Sequence, residues 1–280
     1  MGNAVGVDLG GSSVKLAAWI DGTPRELGRF PHAARGMEVV SAVVEAVRRL
    51  PSEHATLPLG VAIAGLVRGG IVRRSGNLGL TDAPVAEAIG HALGRPLAAF
   101  TSDARAFGRA AALEEGPEPV RLALALGTGV GGALLDSGEI VKDEGLGHGT
   151  FLARESAAPC AVGHERCLEA FLGAAALVRA GRAAGLEIES VLALDALAAR
   201  GDERALDVLG RAGRDLAEGV GVILDGRDAL VVLGGGVARS ASILAAARAA
   251  LPGVRVVTSR FGDHAAAIGA SALASSARSK

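Results

Sequence analysis

Tyrosine is absent from this chain, tryptophan occurs once, and aromatic residues make up 2% of its 280 positions. Cysteine is nearly as scarce, with Cys160 and Cys167 the only two. A small secreted scaffold stapled by disulfides uses more, so a reducing, cytoplasmic setting is expected. An excess of one charge sign is also missing. Lys and Arg total 29 against 30 Asp and Glu, a formal net charge of −1. That leaves no electrostatic footprint for nucleic acid or an anionic membrane, and neither is expected as a partner. No apolar run is long enough to span a bilayer. The opening MGNAVGVDLG lacks a basic region followed by an apolar one, so no signal peptide is expected.

What is abundant is apolar surface and glycine. Hydrophobic residues reach 50%, charged residues 21%, and there are 41 glycines. The length suits one large or two small domains with a sizeable core. The Ala, Arg and Gly bias fits a GC-rich bacterial genome.

Residues 4–8 and 14–20 read as adjacent strands joined by a Gly-Ser turn. Residues 37–50 have apolar positions at helical spacing, with Pro51 as a stop. A buried strand follows at 59–65. Then come a helix at 84–93, opened by Asp82 and Pro84, a strand at 96–101 and a helix at 103–114. The GPEP stretch at 116–119 is the best linker. A second round repeats the plan, with strand, glycine turn and strand over 121–140. An irregular segment at 141–167 precedes helices at 168–184, 190–199 and 203–224. A strand at 229–237, a helix at 240–251, a strand at 254–259 and a last helix at 263–277 complete the pattern. Alternating strands and helices predict an α/β fold, with two duplicated domains and a cleft between them. The expected domains are 1–115 and 120–280, with the last helix a candidate to pack back on the first.

Three glycine turns follow buried strands. Asp8-Leu9-Gly10-Gly11-Ser12-Ser13, with Lys15 behind it, could be a plain hairpin. It could also be a phosphate cradle of backbone N–H groups, with a divalent cation explaining the acid. No GKS or GKT follows, so it is not a P-loop. Leu126-Gly127-Thr128-Gly129-Val130-Gly131-Gly132 leads into a strand, which argues against a dinucleotide fingerprint. Gly234-Gly235-Gly236 leads into a helix. Together the three turns point to a nucleotide-sized ligand.

Asp103 sits at a strand-to-helix junction. Spacing alone favours an N-cap role for Ser102 or Asp103 over a general base. His148, Cys160, His164 and Cys167 supply two imidazoles and two thiols, enough for a tetrahedral zinc site; otherwise they are two free cysteines and two surface histidines.

These features together resemble the ROK family of sugar kinases, within the actin-like, hexokinase-like ATPase fold. Asp8 to Ser12 resembles the family's first phosphate motif, with Ser12 where threonine is usual. Leu126 to Gly132 resembles its LGTGxGG motif, and Leu233 to Val237 its adenosine motif. Ser102-Asp103-Ala104 falls on the NDA motif, which implies that Asp103 is the catalytic base. Gly147-His148 falls on ExGH, Cys167-Leu168-Glu169 on CLE, Asn77-Leu78 on the sugar-contacting NL, and Gly65 on the apolar-Gly sugar loop. The departures are Ser102 and Arg105 for asparagines, Gly145 for the ExGH glutamate, and Val162 for a cysteine that His164 could replace.

The resemblance implies an ATP-dependent kinase acting on a hydroxyl of a hexose or hexose-like polyol. The nucleotide and its Mg²⁺ would engage Asp8 (through water), Gly10, Gly11, Ser12, Lys15, Thr128, Gly129, Gly234, Gly235 and Gly236. The acceptor would engage Gly65, Asn77, Ser102, His148 and Glu169. A C7-cyclitol or modified sugar, polyphosphate in place of ATP, and a non-catalytic sugar-binding protein are the alternatives. The resemblance also implies a homodimer.

Overall fold

The computed structural model describes residues 2–149 and 151–276. It divides into two compact units: residues up to Glu114 together with those from Asp263 on, and Glu115–Gly262. The expected last helix ends at Ala277, which lies outside the described residues.

The first unit is built on β1 (Ala4–Leu9), β2 (Ser13–Ile20), β3 (Thr23–Pro31), β4 (Leu59–Ile63) and β8 (Ala99–Ser102), in the order β3-β2-β1-β4-β8. β1, β2 and β3 form an antiparallel meander, while β1, β4 and β8 run parallel. Every residue of β1 is buried, which explains its near-continuous apolar run. β3 mixes exposed and half-buried positions without regular alternation and carries Pro24 and Gly28, which gives it no clear strand pattern in the sequence.

The crossover from β1 to β4 passes through α1 (Val39–Arg48), whose Val39, Val43, Val44, Ala46 and Val47 are buried. Between β4 and β8 lie a small antiparallel sheet and α2 (Val85–Leu93). The sheet is β5 (Leu66–Arg68), β6 (Ile71–Ser75) and β7 (Leu80–Ala83). Asp82 is therefore a strand residue paired with Arg73 at 3.0 Å, not the cap of α2, whose N-cap is Pro84 with no side-chain bond. α3 (Asp103–Ala111) starts directly after β8.

α9 (Ala265–Ser276) completes this unit. It is rich in alanine and buried nearly all round, and it lies over β1, β4 and α3. Close approach is possible because Gly6 and Gly60 have no side chain. A Cβ on either would collide with the backbone carbonyl of Ala267 or Ala270. At the α3 contact the same holds for Gly269 against the Ala106 carbonyl.

The second unit repeats the sheet. β9 (Val120–Leu126), β10 (Val130–Asp136), β11 (Glu139–Lys142), β12 (Ala229–Gly234) and β13 (Arg255–Thr258) lie in the order β11-β10-β9-β12-β13. Again the first three are antiparallel and the last two join in parallel. Its helices are α4 (Leu168–Leu172), α5 (Ala174–Ala183), α6 (Val191–Ala199), α7 (Glu203–Leu224) and α8 (Ala241–Ala250). The single helix expected at 168–184 is two, because Gly173 is extended at φ −62°, ψ 144°. Asp202 caps α7 by accepting from the Arg204 and Ala205 amides at 3.0 and 3.2 Å. No helix among the described residues is long and apolar enough to cross a membrane.

Seating α9 on bare backbone yields a first test. Gly6→Ala should destabilise the chain by roughly 1–3 kcal/mol through overpacking. Gly76→Ala, where a Cβ meets nothing within 4 Å, should change stability by less than about 0.5 kcal/mol. Equal urea midpoints for the two variants would show that α9 does not seat against Gly6.

Candidate active site

The antiparallel register of β1 and β2 puts Asp8 directly across from Lys15. The Lys15 ammonium donates to Asp8 Oδ2 at 2.9 Å, and Asp8 is 6% exposed. A carboxylate that deep needs a cationic partner, and Lys15 supplies it. The pairing was legible in principle, since a short turn after Asp8 brings position 15 opposite it.

Gly10, Gly11 and Ser12 form the connection between these strands, closed by a Gly10 N–H to Ser13 carbonyl bond of 3.0 Å. Neither Gly10 nor Gly11 has a positive φ. A Cβ on Gly10 would come no nearer than 3.5 Å to the Ser13 oxygen, and one on Gly11 would lie 3.4 Å from Asn77 Cβ. Backbone conformation and packing therefore do not demand glycine here. The bare backbone at these two positions leaves room for close approach of a ligand. The same contact places Asn77 beside the turn. Gly65 differs: its φ is +130°, and a Cβ would lie 2.5 Å from the Arg74 carbonyl, so glycine is required there by the fold itself.

Parallel pairing carries the site across the sheet. Leu9 pairs with Ile63, and Ile63 with Ser102, so β1 and β8 end at the same edge. Ser102 is the N-cap of α3, its Oγ accepting from the Arg105 amide at 3.2 Å. The cap is thus filled, and Asp103 stands in the first helical position, with Oδ1 accepting from the Ala104 amide at 2.8 Å. Burial, reinforced by the negative charge of Asp8, pushes the Asp103 carboxyl up to about 7, with Lys15 pulling the other way.

The second unit brings together a different set. Gly127, Thr128 and Gly129 connect β9 to β10, with the Gly127 amide on the Gly129 carbonyl at 2.9 Å. The start of α4 and α5 holds this turn. Glu169 Oε2 accepts from the Val130 amide at 3.0 Å, and the Ala174 amide donates to the Gly127 carbonyl at 2.9 Å. Gly129 is bare because a Cβ would strike Glu169. Gly234 ends β12, and Gly235, at φ +85°, packs directly on the Leu126 backbone. The second and third glycine turns therefore meet. Glu169 also lies 3.7 Å from His148 Nε2.

His148, Cys160, His164 and Cys167 converge, with one ligand atom from each within 4.8 Å of all the others. His148 Nδ1 is 3.6 Å from Cys160 Sγ. A tight turn, with Cys160 N–H on the His164 carbonyl at 2.8 Å, closes the loop between the first cysteine and the second histidine. Burial pushes the Cys167 thiol up to about 11, with the neighbouring Cys160 sulfur adding to the shift. The irregular segment carrying these four residues is tied to α7 by Arg154 on Asp215 at 2.6 and 2.8 Å and by Ala153 N–H on Glu218 at 2.6 Å. Gly145 has φ +74°, a left-handed backbone that favours glycine over the glutamate of the ExGH pattern.

A residue the sequence reading passed over also belongs to the first turn. His32, just after β3, reaches the Gly10 carbonyl through Nε2 at 3.0 Å. No local motif marks it, and its strand was itself unexpected.

A family model described as ROK family matches residues 4–277. N-acetylmannosamine kinase of Escherichia coli is 30% identical over 254 residues, covering 85% of this chain and 84% of that protein. The ROK hexokinase of Thermus thermophilus superposes with a TM-score of 0.78 at 29% identity, over 99% of both chains. A ROK family glucokinase from Streptomyces griseus, solved with glucose and AMPPNP, gives a TM-score of 0.84 at 23% identity over 98% of this chain and 100% of that one.

The raised Asp103 carboxyl makes a signed stability prediction. Between its unfolded value near 3.8 and about 7, the folded state binds the extra proton. Stability contributed by this group is thus present at low pH and lost as pH rises through that window. Asp103→Asn should raise the melting temperature at pH 8 and leave it nearly unchanged at pH 4, by calorimetry. An equal effect at both pH values would mean that Asp103 titrates normally.

Proposed function

From the premise that this chain belongs to the ROK family, we propose that it is an ATP-dependent kinase that phosphorylates a hydroxyl of a hexose or hexose-like amino sugar. The observation that carries the reading is the Asp8–Lys15–Asp103 constellation beside a glycine turn. A sugar hydroxyl is a poor nucleophile at neutral pH. A carboxylate whose proton affinity is centred near 7 suits its deprotonation. In this reading Asp103 accepts the hydroxyl proton as the oxygen attacks the terminal phosphorus, and the P–O bond to the leaving nucleotide breaks in line. The backbone N–H groups of Gly10, Gly11, Ser12, Thr128 and Gly129 bind phosphate oxygens, and Lys15 adds a positive charge. Gly234, Gly235 and Gly236 give the adenosine moiety a wall without side chains. Mg²⁺ supplies further charge neutralisation when bound, and Asp8 is the carboxylate that would hold it through water.

His148, Asn77, Ser102, Glu169 and the Gly65 backbone are the proposed acceptor contacts. The left-handed backbone at Gly145 supports a site without one carboxylate clamp on the acceptor. A site that lacks a hydroxyl-binding group loses discrimination at that position. N-acetylmannosamine and glucose, taken from the relatives, are the first acceptors to try, with a C7 cyclitol as the arm for an altered substrate. The two sulfurs and two nitrogens near Cys160 fit a tetrahedral zinc in donor chemistry and in mutual distance. His148 would bind it through Nδ1, leaving Nε2 toward the Glu169 carboxylate, which would orient the ring.

ADP release measured over a panel of N-acetylmannosamine, glucose, mannose, fructose and a cyclitol, with ATP or polyphosphate as donor, tests the reading. Asp103→Asn should lower turnover by about 10²–10⁴-fold and keep Mg·ADP affinity. Normal turnover in that variant removes Asp103 as the base. Absence of turnover with every pair leaves a non-catalytic sugar-binding protein. Purified protein should also carry one zinc per chain by elemental analysis, and Cys167→Ser should lose it.

A further inference from the structure

We infer that His32 is a positioning residue that orients the backbone of the first glycine turn. The inference rests on the kinase reading only for its consequence at the nucleotide. A carbonyl oxygen can only accept, so His32 Nε2 must carry the proton it shares with the Gly10 carbonyl at 3.0 Å. The backbone N–H of the same residue donates to the Ser12 carbonyl, also at 3.0 Å. One residue therefore grips the turn at two carbonyls.

The grip controls more than the atoms it touches. A peptide unit is planar, and its C=O and N–H point to opposite edges. Holding the Gly10 carbonyl against His32 turns the Gly11 N–H away from His32, fixing the direction in which that donor presents itself. Holding the Ser12 carbonyl fixes the next plane but one, so the Gly11–Ser12 peptide lies between two pinned neighbours. Glycine makes this necessary. Gly10 and Gly11 let a ligand approach the backbone, but they also allow peptide planes to rotate at little steric cost. A phosphate cradle made of glycine loses its preorganisation unless something outside it holds the planes.

His32 is itself held. β3 ends just before it, at Pro31. After it, Arg35 Nη1 donates to the Ala33 and Ala34 carbonyls at 3.3 and 2.8 Å, and the Gly36 amide donates to the Leu78 carbonyl at 2.7 Å. The last bond anchors the segment to the loop that carries Asn77. Its other ring nitrogen, Nδ1, is buried without a hydrogen-bond partner among the described residues. A buried unpaired nitrogen is a cost that calls for a compensating role, and the bond to the turn supplies one.

The test uses the full-length chain and three variants. His32→Ala should weaken Mg·ADP binding roughly five- to tenfold, the loss of about one buried hydrogen bond, with the acceptor KM unchanged. It should also lose hydrogen-exchange protection at the Gly10 amide without losing it in the rest of β1 and β2. His32→Gln, whose Nε2 lies the same number of bonds from Cβ, should restore both. His32→Asn, whose nitrogen reaches only as far as Nδ1, should not. Equal behaviour of Gln and Asn, or wild-type nucleotide affinity and Gly10 protection in His32→Ala, overturns the inference. A wild-type chain that binds no Mg·ADP overturns the kinase reading, while Gly10 protection across the variants still decides whether His32 holds the turn.

Discussion

Two carboxylates and one ammonium share the end of the first sheet, and that imbalance governs the site. Asp8 is almost wholly buried and pairs with the Lys15 ammonium at 2.9 Å. Asp103 then feels burial and the field of Asp8 with only partial relief from Lys15, and its carboxyl rises to about 7. A neutral-to-charged transition in that range is what proton abstraction needs and what folding stability resists. The same electrostatics that would suit a proton acceptor therefore weakens the native state as pH rises from near 3.8 to about 7. Burial of residue 103 is the larger part of this, and Asp8 adds to it from a different strand. The Asp8 contribution follows from the strand order, which ends β1 and β8 on one edge two strands apart.

The duplicated sheets show how one backbone plan carries two chemistries. Asp8 faces Lys15 one pair before the first turn, whereas Ala125 faces Gly131 at the matching place in the second sheet. The second turn thus has no charged pair at that position. Its organisation comes from Glu169, which reaches in from α4 to the Val130 amide. Charge in one unit is built into the hairpin; in the other it is supplied from a helix. The helix also begins immediately after Cys167, so the sulfur and imidazole cluster and the second turn share one short stretch of chain.

Much of this was legible in the sequence. Buried strands ending in glycine stood out because parallel strands covered on both faces read as apolar runs, and the repeat of strand, turn and strand announced the duplication. The residues of the cluster around Cys160 were legible from residue type, and the structure brings them together. β3 and the small sheet of β5 to β7 were not, since exposed strands with Pro, Gly and Arg lack a clear period. Gly173 looked like one more helical residue, and only its extended conformation separates α4 from α5. The ambiguity at Ser102-Asp103 could not be resolved from spacing either, because both residues can cap. It is resolved when Ser102 takes the Arg105 amide and leaves Asp103 to face other groups.

Glycine is where sequence and structure part furthest, because one letter stands for three physical demands. At Gly6 and Gly60 the demand is packing, with a helix backbone lying where a Cβ would be. At Gly65 and Gly235 it is packing together with a positive φ. At Gly10 and Gly11 it is neither, and there the absent side chain leaves the backbone open to something outside the chain. These last positions also carry a penalty of their own, since peptide planes free to admit a ligand are free to turn away from it. A turn of this kind must borrow its rigidity from a residue distant in sequence. That is why the brace, His32, arises from the end of a strand that the local pattern did not reveal.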